Sequence, residues 1–394
     1  MIGNLVFHIG DPKNGSSSIQ QAMQQRACHC ETVSYVCQEE LNASAMAYAI
    51  DPKRRAEKEQ GKKRRKLLFS QKADWARSHE ADLGLISAEF FSAVPPKALI
   101  KALEEFMPQY TETARIVAYV RPHAGRALSG YAQRVKTGTE LCTLDESIEG
   151  QKKRRMLKYA QRFLRWQNKF GDRFTLRPFL RSEMRDGDVV ADFFETVLQG
   201  APFRLDPISS TNESLSLEEV AAMRRVQRRL VADGVPEFMR LSLGGAIGRA
   251  LAATPGRYRT KMALSRAHAE ALKTLFVEDA EQLDQSFFGR PLMVGELNAA
   301  IEKGLLQGQS LEPLDYYPET QLWRLERIAG DIARLVNAQP RGWRLEYQRR
   351  IGQRLDRIED QKDTEVLREN ATRVWALLDE LIAELLPPKA AAAE

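Results

Sequence analysis

The stretch between residues 13 and 18 has the residue types and spacing needed to bind an anionic group. In chain order it contains Lys13, Asn14, Gly15, Ser16, Ser17 and Ser18. The lysine carries a positive charge, the serines carry hydroxyl donors, and the glycine lets backbone amides come close to a ligand. Such a set of donors suits the oxygens of a phosphate or sulfate group.

A second set of donors follows later in the chain, in the pattern Arg121-Pro122-x-x-x-Arg126-x-x-Ser129. Arg121 stands at the end of a predicted strand. Arg126 and Ser129 are three residues apart and so lie near one face of a predicted helix. A guanidinium and a hydroxyl at this spacing suit a phosphate. For Arg126 an ion pair with a carboxylate is the alternative.

Glu89 is the candidate for acid–base chemistry, in the sequence Ser87-Ala88-Glu89. A carboxylate just after a strand, near a phosphate-binding loop, could accept the proton of an acceptor hydroxyl. The alternative is a glutamate that opposes the dipole of a helix N-terminus. His8 and His123 are weaker candidates for the base.

The elements that must position these residues are strands followed by helices. Apolar runs predict strands at Leu5–Ile9, Leu83–Ser87, Arg115–Val120 and Phe174–Arg177, with helices between them. This alternation predicts an α/β fold with a mostly parallel central sheet covered on both faces. A strand that turns into a helix through the loop at residues 10–15 directs unpaired amides and a helix dipole at one point, which favours an anion.

The composition fits a globular protein of 394 residues, with 43% hydrophobic and 28% charged residues. The net charge of +6 is concentrated at residues 53–66, which hold nine Lys or Arg and two Glu. Because the rest of the chain is close to neutral, a nucleic-acid coat is not expected. The basic segment is either a solvated surface or an attractor of an acidic polysaccharide.

Cysteine use and hydrophobicity bound the class of protein further. Four cysteines are too few for a disulfide framework at this length. Cys28-His29-Cys30 with Cys37 could be a metal cluster, but the spacing lacks a second knuckle, which favours ordinary thiols and no metal. No run of residues is long and apolar enough to cross a bilayer. The first predicted strand begins close to Met1, so we expect no signal peptide and a cytoplasmic protein.

The C-terminal third is predicted to be helical. Leu322, Leu325, Ile328 and Ile332 recur at helix spacing, and Val374 to Leu385 repeat the pattern. We therefore predict a boundary near residue 292, with an α/β domain at 1–292 and a helical extension at 293–394. The extension could serve in packing, in acceptor binding or in a homo-oligomer.

The two anion-binding patterns together resemble the sulfotransferases that use 3′-phosphoadenosine 5′-phosphosulfate (PAPS), in particular bacterial members related to carbohydrate enzymes. The resemblance covers residues 1–292 and implies a three-layer fold like that of P-loop nucleotide hydrolases. It assigns the 5′-phosphosulfate to Lys13 and the residues through Ser18, the 3′-phosphate to Arg121 and Ser129, and the role of base to Glu89. It implies transfer of a sulfuryl group to a hydroxyl of a carbohydrate, without a metal.

Two other functions compete with this interpretation. A small-molecule kinase shares the strand, loop and helix, but its lysine follows the last glycine and is followed by a Ser or Thr that holds magnesium. Ser16 stands at the position of that lysine here. A non-catalytic nucleotide-binding module with a helical partner-binding region is the second alternative.

Overall fold

A computed structural model of the chain describes residues 1–54, 58–151, 157–208, 214–351 and 365–387. The strands among these residues are β1 (Ile2–His8), β2 (Cys28–Cys30), β3 (Tyr35–Cys37), β4 (Ala81–Ser87), β5 (Arg115–Val120), β6 (Phe174–Pro178) and β7 (Phe203–Leu205). A five-stranded sheet has the order β3-β4-β1-β5-β6, and each recorded pairing in it is parallel. β2 and β7 form a separate antiparallel pair. The predicted α/β fold with a mostly parallel central sheet is confirmed.

The α-helices of the described residues connect these strands and fill the later part of the chain. They are α1 (Ser16–Gln25), α2 (Ser44–Ile50), α3 (Lys58–Ser78), α4 (Pro96–Phe106), α5 (His123–Lys136), α6 (Leu144–Gly150), α7 (Ala160–Phe170), α8 (Val189–Val197), α9 (Leu217–Ala232), α10 (Glu237–Ala253), α11 (Arg266–Leu283), α12 (Leu292–Glu302), α13 (Glu319–Ala338), α14 (Pro340–Arg350) and α15 (Glu365–Glu384). Within the described ranges, none of them has the length and hydrophobicity of a bilayer-spanning helix.

Helices cover both faces of the large sheet because its strands are apolar on both sides. On one face, Val6 and Val117 belong to a buried cluster with Ile19 of α1 and Phe193 of α8. On the other face, Phe163 of α7 stacks on Phe174 of β6, with ring centroids 6.2 Å apart. Helix, sheet and helix therefore form three layers.

The four strands predicted from sequence are present, and Arg115–Val120 has the predicted bounds. β3 was not predicted, because its apolar run is only three residues long and half-buried. Residues 31–80 are expected from the sequence to be mostly helical or irregular, and their described part contains α2 and α3 together with one short strand, β3. Part of the basic segment, residues 55–57, lies outside the described residues.

The chain divides into two compact units. The first comprises Met1–Arg126, Arg155–Ser210 and Lys273–Asn298, and the second comprises Ala127–Arg154, Thr211–Leu272 and Ala299–Glu394. This division differs from a single boundary at residue 292. The reason is that α9 packs against α13, so a helix from before that boundary shares a core with the C-terminal helices.

The second unit is helical. α13 packs against α15, and α14 packs against both α15 and α10. Trp343 of α14 is fully buried, and its ring centroid lies 5.2 Å from that of Trp375 on α15. These contacts account for the apolar residues that recur at helix spacing in the C-terminal sequence.

Candidate active site

The loop between β1 and α1 is held in a conformation that ordinary residues avoid. Gly15, the residue before α1, has φ +79°, and Lys13 has φ +71°. A Cβ atom at Gly15 would lie 2.8 Å from both Phe179 and Val189, so only glycine fits there without displacing a neighbour. The lysine in the left-handed region is uncommon for its residue type and indicates a constrained loop.

Polar atoms in this loop are buried without partners of their own. Ser16 Oγ and Asn14 Oδ1 have no hydrogen-bond partner within the described part of the chain. The other end of the Asn14 amide donates to the Tyr119 carbonyl at 2.6 Å, which fixes the loop to β5. Ser17 is exposed, and Ser18 is half-buried. Since a buried hydroxyl normally has a partner, Ser16 is suited to bind an external group at the N-terminus of α1.

Arg121, directly after β5, reaches the same loop. Its Nη1 donates to the Lys13 carbonyl at 3.2 Å, and its guanidinium lies over the Phe179 ring, 5.6 Å from the centroid. A Cβ atom at Gly125 would lie 3.3 Å from Arg121 Nε, so the glycine gives the side chain room. The structure therefore brings together the two donor groups that the sequence places more than one hundred residues apart.

Glu89 lies in a short 3₁₀ turn, Glu89–Ala93, at the end of β4. The turn is joined to β1, because the Ala88 amide donates to the His8 carbonyl at 3.0 Å. A Cβ atom at Gly10 would lie 3.3 Å from Glu89 Cα. Glu89 thus lies beside the loop, where β1 and its neighbours β4 and β5 end at the same edge of a parallel sheet.

Burial shifts the two ionisable groups proposed for chemistry in opposite directions. Burial lowers the pKa of Lys13, and the nearby charges of Arg121 and Arg126 lower it further, whereas Glu89 raises it. Burial raises the pKa of Glu89, and Asp11 raises it further, against the effect of Lys13 and Arg126. Each shift makes the charged form less favourable, so an anion among the cations would relieve repulsion between them.

Asp11 and Arg162 are part of this site and were not identified from the sequence. Asp11 is 1% exposed and pairs with Arg162, Oδ1 to Nη2 at 2.8 Å, and with Arg126, Oδ2 to Nε at 3.4 Å. The alternative considered for Arg126, an ion pair with a carboxylate, is what the structure shows. Nothing in the sequence indicates the Asp11–Arg162 pair, because the two residues lie on different elements far apart in the chain.

A buried network from α7 and α11 adjoins these arginines. Asp279 accepts a hydrogen bond from the Tyr159 amide at 2.9 Å and lies 3.0 Å from His123 Nε2. The Tyr159 hydroxyl is fully buried without a hydrogen-bond partner among the described residues, and its pKa is raised by burial and by Asp11. His123 is therefore held in a structural contact, which disfavours it as the base.

His8 also has a structural environment. Its Nδ1 lies 2.8 Å from Ser87 Oγ, and its ring packs edge-on against Tyr119 and Phe193. Complete burial lowers its pKa from 6.5 to about 3. A histidine with so low a pKa is a weak base, so Glu89 is the better candidate.

Ser129, the other residue assigned to the 3′-phosphate by the resemblance, lies half-buried in α5 and belongs to the second unit. Its role stays a prediction. Cys28 and Cys30 lie in β2. Among the described residues, no group of three or more His, Cys, Asp or Glu side chains is arranged to hold a metal ion.

No protein-family model and no curated protein matches the chain. A comparison with solved structures finds the crystal structure of a sulfotransferase from Alicyclobacillus acidocaldarius. The two chains are 15% identical with a TM-score of 0.39, and the match covers 72% of this chain and 95% of that one.

Proposed function

We propose that this protein is a sulfotransferase that moves a sulfuryl group from PAPS to a hydroxyl of a carbohydrate acceptor. The observation that supports it most is the 3.2 Å contact between Arg121 Nη1 and the Lys13 carbonyl. Two donor groups at neighbouring strand ends are the arrangement that a nucleotide with phosphate at both its 3′ and 5′ positions requires.

The residues at the loop fit the 5′-phosphosulfate. Ser16 Oγ is a buried donor without a partner in the described chain. The first amides of a helix generally lack an intrahelical acceptor, although the Ser18 amide donates to the Gly15 carbonyl at 3.0 Å. Gly15 allows a close backbone approach. We propose that Asn14, Gly15, Ser16, Ser17 and Ser18 hold the phosphosulfate oxygens, while Arg121 binds the 3′-phosphate.

The proposed reaction is an in-line displacement at sulfur. The acceptor oxygen forms a bond to sulfur as the bond from sulfur to the 5′-phosphate oxygen breaks, which releases adenosine 3′,5′-bisphosphate. Glu89 takes the proton of the acceptor hydroxyl, and its raised pKa makes it a stronger base than an ordinary carboxylate. Lys13 neutralises the charge that grows on the leaving phosphate oxygen.

The test is sulfate transfer from labelled PAPS to a panel of saccharides and phenols. Lys13→Met keeps the side-chain length and removes the charge, and we expect the turnover number to fall by about 10²- to 10³-fold, as for loss of one transition-state donor. Lys97→Met, at an exposed position on α4, is the matched control and should transfer normally. Transfer of phosphate from ATP, or a normal rate for Lys13→Met, would contradict the proposal.

A further inference from the structure

A groove runs between α9 and α13 in the second unit, away from any residue used above. Its first part is a cavity of about 600 Å³, and its second part is a cavity of about 440 Å³. Arg229 and Glu326 line both cavities, so the two are adjacent. Each is large enough to take a sugar ring.

One end of the groove presents a large aromatic face. Trp323 is 65% exposed, whereas the other four tryptophans of the chain are buried or half-buried. The remaining wall of this end is polar, formed by Arg229, Asp233, Arg327, Asp331, Arg334 and Asn337. Three arginines face three carboxylates here once Glu326 is included. Asp233 pairs with Arg229, and Asp331 pairs with Arg327 and Arg334.

Contacts between α9 and α13 hold the polar side chains of this wall in position. Trp323, Arg327 and Arg334 recur along α13 at helix spacing and so share one face. A Cβ atom at Gly330 would lie 2.9 Å from Arg229 Nη2, so the glycine lets that guanidinium cross α13. The Asn337 amide donates to the Asp233 carbonyl at 2.8 Å and closes the far end.

The other end of the groove is basic. Four arginines of α9 line it, namely Arg224, Arg225, Arg228 and Arg229, against two carboxylates, Glu312 and Glu326. Arg225 pairs with Glu326 at 2.6 Å. Arg228 is exposed and donates to the Leu141 carbonyl at 3.1 Å. Guanidinium groups in excess attract carboxylate or sulfate groups.

We propose that this groove binds an acidic oligosaccharide, with one sugar ring on Trp323 and an acidic group at the arginines of α9. A sugar ring has an apolar face that packs on an indole and a rim of hydroxyls that bond to paired guanidinium and carboxylate groups. A protein partner would need an apolar centre to the interface, and Trp323 is the one exposed large apolar side chain of the lining, since Leu311 is half-buried and Pro313 is buried. The inference goes beyond the transfer reaction, because it assigns a separate binding site.

The experiment is titration calorimetry of the full chain with a hexasaccharide of alternating glucuronic acid and N-acetylglucosamine. A neutral N-acetylglucosamine hexamer is the second probe, and polyphosphate is the third. Trp323→Ala should lower the affinity for the acidic hexasaccharide by about tenfold, which corresponds to about 1.4 kcal/mol of binding free energy. Phe238→Ala, at another exposed aromatic position of the second unit, should bind like the unaltered protein.

A variant of one groove arginine distinguishes the contribution of charge from that of ring stacking. Arg228→Ala should lower the affinity for the acidic hexasaccharide by about fivefold at low salt and by less at high salt. It should leave the neutral probe unchanged, while Trp323→Ala weakens both saccharides. Arg324→Ala is the matched control, since that side chain lies on α13 outside the groove lining and pairs with Glu384.

Four results would overturn the inference. The first three are no binding of the acidic hexasaccharide, equal affinities of Trp323→Ala and Phe238→Ala for it, and an equal dependence of polyphosphate binding on Trp323. Self-association that is lost in Trp323→Ala without saccharide binding would also overturn it, by assigning the groove to a second copy. Lys13→Met should bind the saccharide normally, so failure of the transfer reaction is distinguished from failure of this inference.

Discussion

At the scale of single residues, Asp11 is the side chain that organises the candidate site. It is almost fully buried and holds Arg126 and Arg162 in place by two ion pairs. A buried carboxylate is stabilised by such partners, and a loss of one partner leaves an uncompensated charge. Fixing these two guanidiniums in advance reduces the side-chain entropy that the protein would lose when an anionic ligand binds.

Glu89→Gln tests the proposed base. We expect the turnover number to fall by about 10²- to 10⁴-fold, while nucleotide affinity changes little. Because the pKa of Glu89 is raised, the proposed activity of the unaltered protein should be lost on acidification at a higher pH than an ordinary carboxylate would cause. The residual activity of Glu89→Gln should lack this acid limb. An acid limb of the same position in both proteins would remove Glu89 from the mechanism.

His8→Asn tests the buried imidazole through the pH dependence of stability. The pKa of His8 is about 3 in the folded protein and near 6.5 when exposed, so below pH 6.5 the unfolded chain binds the proton and folding stability falls. The free energy of unfolding falls by about 1.4 kcal/mol per pH unit, or by about 2 kcal/mol at pH 5. When the unfolding free energy from urea denaturation is plotted against pH, His8→Asn should show a flatter slope than the unaltered protein. An unchanged slope would refute the assignment.

At the scale of elements, the turn from β1 into α1 determines where the donors point. Its need for glycine at residue 15 was readable in the sequence, as were the flanking strand and helix. The pattern of β5 was equally readable, because every residue in Arg115–Val120 after the first is buried and apolar or aromatic. Short edge strands such as β3 give a weaker signal, since three half-buried residues are too short a run to be distinguished from a loop.

Gly15→Ala should damage both the fold and the site. Alanine at φ +79° costs about 1 kcal/mol in backbone strain, and the 2.8 Å approach to Phe179 and Val189 adds about 1–3 kcal/mol. Gly234→Ala is the matched control, with φ +73° and no atom within 4 Å of the added Cβ. Thermal unfolding should show a larger loss for Gly15→Ala, and equal losses would show that the close packing has no effect.

At the scale of the whole molecule, sequence patterns locate the elements better than they locate the units. The sheet and the C-terminal helices were predicted, whereas the membership of α9 in the second unit was not, because the packing of α9 on α13 joins segments about one hundred residues apart. The same limit applies to the site. Motif residues such as Lys13 and Arg121 were identified, and the Asp11–Arg162 pair was not, since long-range contacts leave no local signature.

The central claim is that the loop and Arg121 bind opposite ends of one nucleotide. Titration calorimetry of the unaltered protein and Arg121→Gln, with adenosine 3′,5′-bisphosphate and adenosine 5′-monophosphate, tests it most directly. Loss of a charged hydrogen-bond donor should lower the affinity for the bisphosphate by about 10- to 100-fold and change the affinity for the monophosphate by no more than about twofold. An equal loss for both nucleotides would contradict the claim, because Arg121 would then not bind the 3′-phosphate.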